Sequence, residues 1–155
     1  MLSARNYNSS EDFYFLEKLV IHSPEWRKEE CEQHELAVYY NQSNMYNGIW
    51  QVWENEKHSV GLSFHVEWAP SNGKAWLGTL LIEKEHRGAG YGRSILNGLA
   101  HQLAQQGHKA FFAAAPVSQG SWLKFLAACE FEQFKSEKDS GKEYIISVRP
   151  LVLNE

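Results

Sequence analysis

Apolar residues recur with two distinct periods along the chain. Ser3 to Tyr7 predicts a short first strand. Ser9-Ser10-Glu11-Asp12 then reads as a helix start, with hydroxyl caps followed by acids, and Phe13, Leu16 and Val20 continue at helical spacing. Ser23-Pro24-Glu25 restarts a second helix, expected to run to about Tyr40, before a polar loop from Asn41 to Gly48. Gly48 to Trp53 predicts a strand, with a hairpin turn at Glu54-Asn55-Glu56-Lys57. From Ser59 to Trp68 the period becomes two: Leu62, Phe64, Val66 and Trp68 share one face, and Ser63, His65 and Glu67 the other. Pro70-Ser71-Asn72-Gly73 is a turn signal, and Ala75 to Glu83 is the next strand. Its interior Gly78 marks a bulge or a close approach by another group.

The period then returns to helical. Tyr91 to Gln106 carries a stripe of Ile95, Leu96, Leu99, Ala100, Leu103 and Ala104, and Gly107 ends it. Lys109 to Ala115 is nearly all apolar and predicts a strand buried on both faces. Ser121 to Cys129 is a further helix, with Trp122, Phe125, Leu126 and Cys129 on one side. Phe131 to Phe134 and Glu143 to Val148 close the chain around a polar turn from Ser136 to Lys142. Helices interleaved with strands and hairpins give a mixed α/β (α+β) sheet with helices on its faces.

The 155 residues fit one domain spanning 1–155, with 43% apolar and 22% charged residues. A net charge of −4 weighs against a nucleic-acid partner and mildly favours a cationic acceptor. Asp occurs only at Asp12 and Asp139, which disfavours Asp-rich divalent-metal sites and a phospho-aspartate. Cys occurs only at Cys31 and Cys129. No CxxC exists, so no metal is expected; one disulfide is formally possible, and two reduced thiols fit a cytoplasmic protein. No leader h-region and no membrane span stands out.

Candidate chemistry concentrates at Ile82-Glu83-Lys84-Glu85-His86-Arg87-Gly88-Ala89-Gly90-Tyr91-Gly92-Arg93, between a strand and an amphipathic helix. Glycines at alternate positions bare the backbone N–H groups at the positive end of the helix dipole, and Arg87 and Arg93 add charge: a phosphate or pyrophosphate cradle. It is not a P-loop, since GxxxxGK[ST] is absent. It is a poor dinucleotide fingerprint, since Arg93 holds the third glycine position.

Arg87-Gly88-Ala89-Gly90-Tyr91-Gly92 resembles the R/Q-x-x-G-x-G/A acetyl-CoA signature of the GNAT N-acetyltransferase superfamily, and the resemblance extends over nearly the whole chain. It implies a mixed, mostly antiparallel sheet of about seven strands flanked by four helices and splayed into a V-shaped cleft for the pantetheine arm. It further implies an acetyl-CoA-dependent N-acetyltransferase without a metal, acting on a primary amine of a small molecule or peptide. Gly88, Ala89, Gly90, Tyr91 and Gly92 would bind the pyrophosphate, with Arg87 and Arg93 alongside. The Ile82 backbone would pair with pantetheine, and the Leu80 N–H would meet the thioester carbonyl as an oxyanion contact. Gln119 falls where the family often has an Asn near the pantetheine.

His65 and Glu67 are candidates for the general base, against the alternative that each is a surface residue of a half-solvated strand. Glu83 and Glu85 read as solvated, and His86 as a loop residue. Trp26 and Trp76 are candidates for the acceptor wall. The sequence also departs from the family pattern. Leu126 stands where a Tyr usually protonates the leaving thiolate, and Glu130 where a Gly usually follows. Those departures leave a rival reading, a GNAT-fold CoA-binding sensor or interaction module with weak or no catalysis. The resemblance also allows a homodimer.

Overall fold

The computed structural model describes residues 2–43 and 47–153. Seven strands form a sheet in the order β1-β2-β3-β4-β5-β7-β6. They are β1 (Leu2–Asn6), β2 (Ile49–Asn55), β3 (His58–Val66), β4 (Ala75–Ile82), β5 (Ala110–Pro116), β6 (Glu132–Asp139) and β7 (Lys142–Pro150). The helices are α1 (Ser9–Ile21), α2 (Pro24–Glu29), α3 (Leu36–Ser43), α4 (Tyr91–Gln105) and α5 (Gly120–Ala128). The chain divides into two compact units, Met1–Val66 with Gly78–Ile95, and Glu67–Leu77 with Leu96–Glu155.

In the first unit β1 pairs antiparallel with β2, and β2 with β3. Helix α1 starts where the Asn8 side chain accepts the N–H groups of Ser10 and Glu11, one residue before the expected cap. The buried Asp12 carboxylate takes both Arg5 Nη1 and Nη2 at 2.8 Å and the Asn8 N–H at 2.8 Å, which ties β1 to α1. Leu16, Leu19 and Val20 of α1 and Leu36 of α3 pack on Trp50, Val52, Leu62, Phe64 and Leu81.

The helix expected from Pro24 to about Tyr40 is two helices, so the described helices number five. Between Trp26 and Leu36 only Cys31 is apolar, so no stripe rewards continuation. Glu32 and Glu35 instead form a capping box on a short 3₁₀ turn that leads into α3. The expected loop from Asn41 begins inside α3, and residues 44–46 lie outside the described ones.

Strand β3 is buried on both faces from Val60 to His65, so its Ser63–His65 face is not half-solvated as expected. Small residues permit the close packing. A Cβ on Gly61 would lie 2.9 Å from the Leu81 carbonyl oxygen, and Ser63 Oγ accepts from Trp53 Nε1 at 2.8 Å. The strand stops at Val66, so Glu67 and Trp68 do not extend it.

In the second unit β4 pairs parallel with β5 through Ala75–Phe111, Trp76–Phe112 and Leu77–Ala113; β5 and β6 both pair antiparallel with β7. Strand β5 buries Phe111, Ala113 and Ala115 but exposes Ala114, so it is not buried on both faces throughout; a uniformly apolar run hides which face is which. The turn expected at Ser136 to Lys142 shrinks to Ser140-Gly141, both at positive φ (52° and 82°). Strand β6 is exposed at every residue, so it carries no alternation that would reveal it. Within α4, the predicted stripe is buried throughout, and Gly107 follows at φ 94°. Cys129 is buried and both cysteines are free thiols.

Candidate active site

Strand β4 leads through a 3₁₀ turn (Lys84–His86) into the glycine-rich segment and α4. Gly88 and Gly90 sit at φ 80° and 86°, with open space where a side chain would begin. That left-handed backbone disfavours any L side chain by about 1–2 kcal/mol per residue. The Gly90 carbonyl accepts the Ser94 N–H at 3.1 Å and so starts the helix. The six backbone N–H groups from Gly88 to Arg93 find no acceptor among the described residues. They crowd at the end of the helix where the dipole is positive. An anionic diphosphate fits such donors. Arg93 is exposed and has no ion pair among the described residues.

The cradle is braced from three sides. The Tyr91 hydroxyl accepts from Asn55 Nδ2 at 2.8 Å, and the His86 ring meets the Tyr91 ring edge-on at 5.8 Å. Glu83, expected in solvent, is buried. Its oxygens lie 3.4 Å from Lys18 Nζ and 3.1 Å from His86 Nδ1, and its N–H donates to the Val60 carbonyl. Arg87 turns away from the glycines: Nε donates to the Ile82 carbonyl at 3.1 Å, and Nη2 to the His22 carbonyl at 2.8 Å and Ser23 Oγ at 3.1 Å.

Farther back along β4, Gly78 is exposed between the buried Leu77 and Thr79. A Cβ there would fall 2.5 Å from Phe64 Cδ2, the close approach expected from its place in a strand. Trp26 Nε1 donates to Thr79 Oγ1 at 3.2 Å, and its ring meets Tyr39 edge-on at 5.4 Å. Tyr7, Tyr40, Trp50 and Phe64 form a second aromatic cluster, with neighbouring ring centroids 4.6–6.2 Å apart. Trp76 belongs to the second unit, where it stacks on Phe112 at 5.1 Å and donates to Asn72 Oδ1 at 2.9 Å.

The two candidate bases are not a pair on one strand face. His65 is 2% exposed, opposite Ile49 in the ladder. Glu67, past the strand end, lies 3.3 Å from Nε2 of the buried His108, whose ring meets that of Trp68 at a tilt, with centroids 4.5 Å apart. Gln119 is half-buried before α5; its carbonyl accepts the Trp122 and Leu123 N–H groups. Leu126 is 1% exposed. Glu130 sits at φ 70° where α5 ends: Phe131 N–H returns to the Leu126 carbonyl and Glu130 N–H to the Ala127 carbonyl, a turn that ordinarily uses Gly. Arg149 braces it, with Nη2 3.2 Å from Glu130 Oε2 and Nη1 donating to the Cys129 carbonyl at 3.2 Å.

The Thr79, Asn55, Lys18 and His22 contacts were missed from the sequence. Each joins residues 36 to 65 positions apart and has no local pattern to announce it.

The profile of the Acetyltransferase (GNAT) family matches residues 13–131, from α1 through the cradle to the turn after α5. The chain belongs to the GNAT acetyltransferase family. It is 43% identical over 137 residues to the protein YkzC of Bacillus subtilis strain 168, covering 88% of this chain and 96% of that one. An acetyltransferase from Thermus thermophilus superposes with a TM-score of 0.77 at 22% identity, over 97% of each chain. A chimera of Vibrio cholerae spermidine N-acetyltransferase SpeG and hSSAT gives 0.74 at 18% identity, over 96% of this chain and 94% of that one. Salmonella typhimurium yncA, solved with its cofactor acetyl-CoA, gives 0.69 at 13% identity, over 99% of this chain and 95% of that one. These solved structures establish the GNAT fold for this chain, and the family is one of acetyltransferases. Among the described residues no helix is long and apolar enough to cross a membrane, and no three His, Cys, Asp or Glu side chains gather as a metal site.

Proposed function

We propose that the protein transfers an acetyl group from acetyl-CoA to a primary amine, most simply that of a small molecule. The observation that carries this reading is the row of six N–H groups from Gly88 to Arg93 without acceptors among the described residues, turned by two glycines at positive φ. They would hold the pyrophosphate, with Arg93 beside them. The Ile82 backbone would align pantetheine, and Leu80 N–H would face the acyl carbonyl where negative charge develops. Bound acetyl-CoA supplies an acyl group activated as a thioester.

The acceptor must lose its proton before attack, and His65 and Glu67 are the side chains to test in that role. Trp26, held on Thr79, and the neighbouring aromatic rings offer an apolar wall with electron-rich faces for an ammonium before deprotonation. Trp76 is a separate candidate for the acceptor side. The spermidine named for the Vibrio protein is that protein's acceptor. A polyamine is one arm of an amine screen here.

Release of free CoA thiol from acetyl-CoA, measured across a panel of primary amines, tests the proposal. Amine-dependent release is expected. The second reading, a module that binds CoA without turnover, is favoured by the wholly buried Leu126 at the usual proton-donor position. Tight acetyl-CoA binding with no turnover across the panel would select it.

A further inference from the structure

We infer that Arg87 is a positioning residue for the acceptor wall and not a ligand of the cofactor phosphates. This rests on the acetyltransferase reading above and deepens it. Arg87 begins the signature, yet its guanidinium donates to three protein oxygens: the Ile82 carbonyl, the His22 carbonyl and Ser23 Oγ. His22 caps the C-terminus of α1, and Arg27 donates to the Val20 and Ile21 carbonyls just before it. Two guanidinium groups therefore meet the negative end of α1. Ser23 is the residue from which α2 starts, its carbonyl accepting the Arg27 N–H at 3.1 Å. The Ser23 hydroxyl makes no cap of its own helix and instead receives Arg87.

Three residues on, Trp26 reaches Thr79. The contacts close a ring: Ile82 on β4, Arg87, Ser23, α2, Trp26, and Thr79 on β4 again. Lys18–Glu83 is a second tie between α1 and the cofactor loop. Removing Arg87 frees the start of α2 from β4 and lets Trp26 drift. The N–H row from Gly88 to Arg93, without acceptors among the described residues, is left in place for the diphosphate.

The test compares wild type with Arg87→Ala, Arg87→Lys and Trp26→Phe. In Arg87→Ala the acetyl-CoA Kd from calorimetry is expected to change by less than about threefold, while the KM for the amine rises about tenfold or more with a smaller change in kcat. Trp26→Phe should raise the amine KM likewise, and the double variant should be no worse than the more severe single one, because both act on one element. Arg87→Lys, with one ammonium for three acceptors, should fall between and guards against a misfolded alanine variant. A fall of tenfold or more in acetyl-CoA affinity in a folded Arg87 variant, with amine KM unchanged, would make Arg87 a phosphate ligand and overturn the inference.

Amide hydrogen exchange judges the brace without activity. Residues 23–30 should exchange about tenfold faster in Arg87→Ala, with the Ile95–Leu103 amides unchanged. Unchanged exchange at 23–30 would also overturn it. If the wild-type protein bound no acetyl-CoA, the function proposal would fall while the exchange result still decided the role of Arg87.

Discussion

Gly78→Ala is the substitution whose sign the structure fixes most sharply. In an ordinary strand, replacing Gly by Ala gains about 0.5–1 kcal/mol, because Gly loses more conformational freedom on folding. Here the new methyl would lie 2.5 Å from Phe64 Cδ2 and 3.0 Å from Cε2. The Phe64 ring is nearly buried and closely neighboured. On another side a Cβ at Gly48 would lie 2.0 Å from its Cε1 and Cζ, and Trp50 packs 4.6 Å away between ring centroids. Overpacking of this kind costs about 1–3 kcal/mol, enough to reverse the sign. Net of the entropic gain the cost is up to about 2.5 kcal/mol, and at about 2–4 °C per kcal/mol for a chain of this size Tm should fall by up to about 10 °C. Thermal unfolding by circular dichroism measures this directly. The same substitution in a Phe64→Leu background should cost at least about 1 kcal/mol less, because the clashing ring edge is gone. A Gly78→Ala protein as stable as wild type or more so, or an equal penalty in both backgrounds, would refute the steric argument.

Other predictions concern stability at the borders of the site. Asp12→Asn should cost about 1–3 kcal/mol in urea unfolding, since it breaks a bidentate, charge-assisted contact to a half-exposed Arg5. The side-chain bonds from Arg5, helped by the Asn8 N–H, hold the Asp12 carboxyl below its usual range despite its burial. A lowered folded-state value means that Asp12 stabilises the fold fully above its unfolded value near pH 4, and loses this as pH falls through the folded value. The acid limb of a pH–stability curve should therefore flatten in Asp12→Asn; an unchanged limb would refute the assignment. Leu126→Ala should lose about 2–5 kcal/mol as a core truncation, and a loss under about 1 kcal/mol would contradict its burial. Glu130→Gly relieves about 1–2 kcal/mol of left-handed strain and gives up an ion pair of largely exposed Glu130 worth less than about 1 kcal/mol. A modest rise in Tm follows, and a fall would show that Arg149 contributes more than this.

Helix α4 and the cradle were legible because their signals are local: a continuous apolar stripe, a terminal glycine, and glycines at alternate positions after a strand. The order of strands and helices followed from the change of period. The break between α2 and α3 was not legible, because acidic residues with good helix propensity fill the gap where no apolar stripe exists. Strand β6 was cut short because a fully exposed strand has no face to write into the sequence. The tight turns at Glu56-Lys57 and Ser140-Gly141 blurred hairpin ends, since Glu, Lys and Ser at positive φ give weak turn signals. His65 and Glu67 shared a face in the sequence reading, but β3 ends at Val66, before Glu67. The Arg87 contacts to His22 and Ser23 were not legible, because those partners lie more than sixty residues away.

The central claim, that the turn from Gly88 to Arg93 holds the diphosphate of acetyl-CoA, is tested by calorimetric titration of acetyl-CoA into wild type and Gly90→Val, with ATP and NAD⁺ as comparisons. At Gly90 the backbone lies at φ 86° with free space around it, so valine acts by forcing the backbone and not by collision. Micromolar binding, about −8 kcal/mol, is expected for wild type, with weaker binding of ATP and NAD⁺ and loss of about tenfold or more in Gly90→Val. Equal acetyl-CoA affinity in the two proteins, or no binding by wild type, would contradict the account.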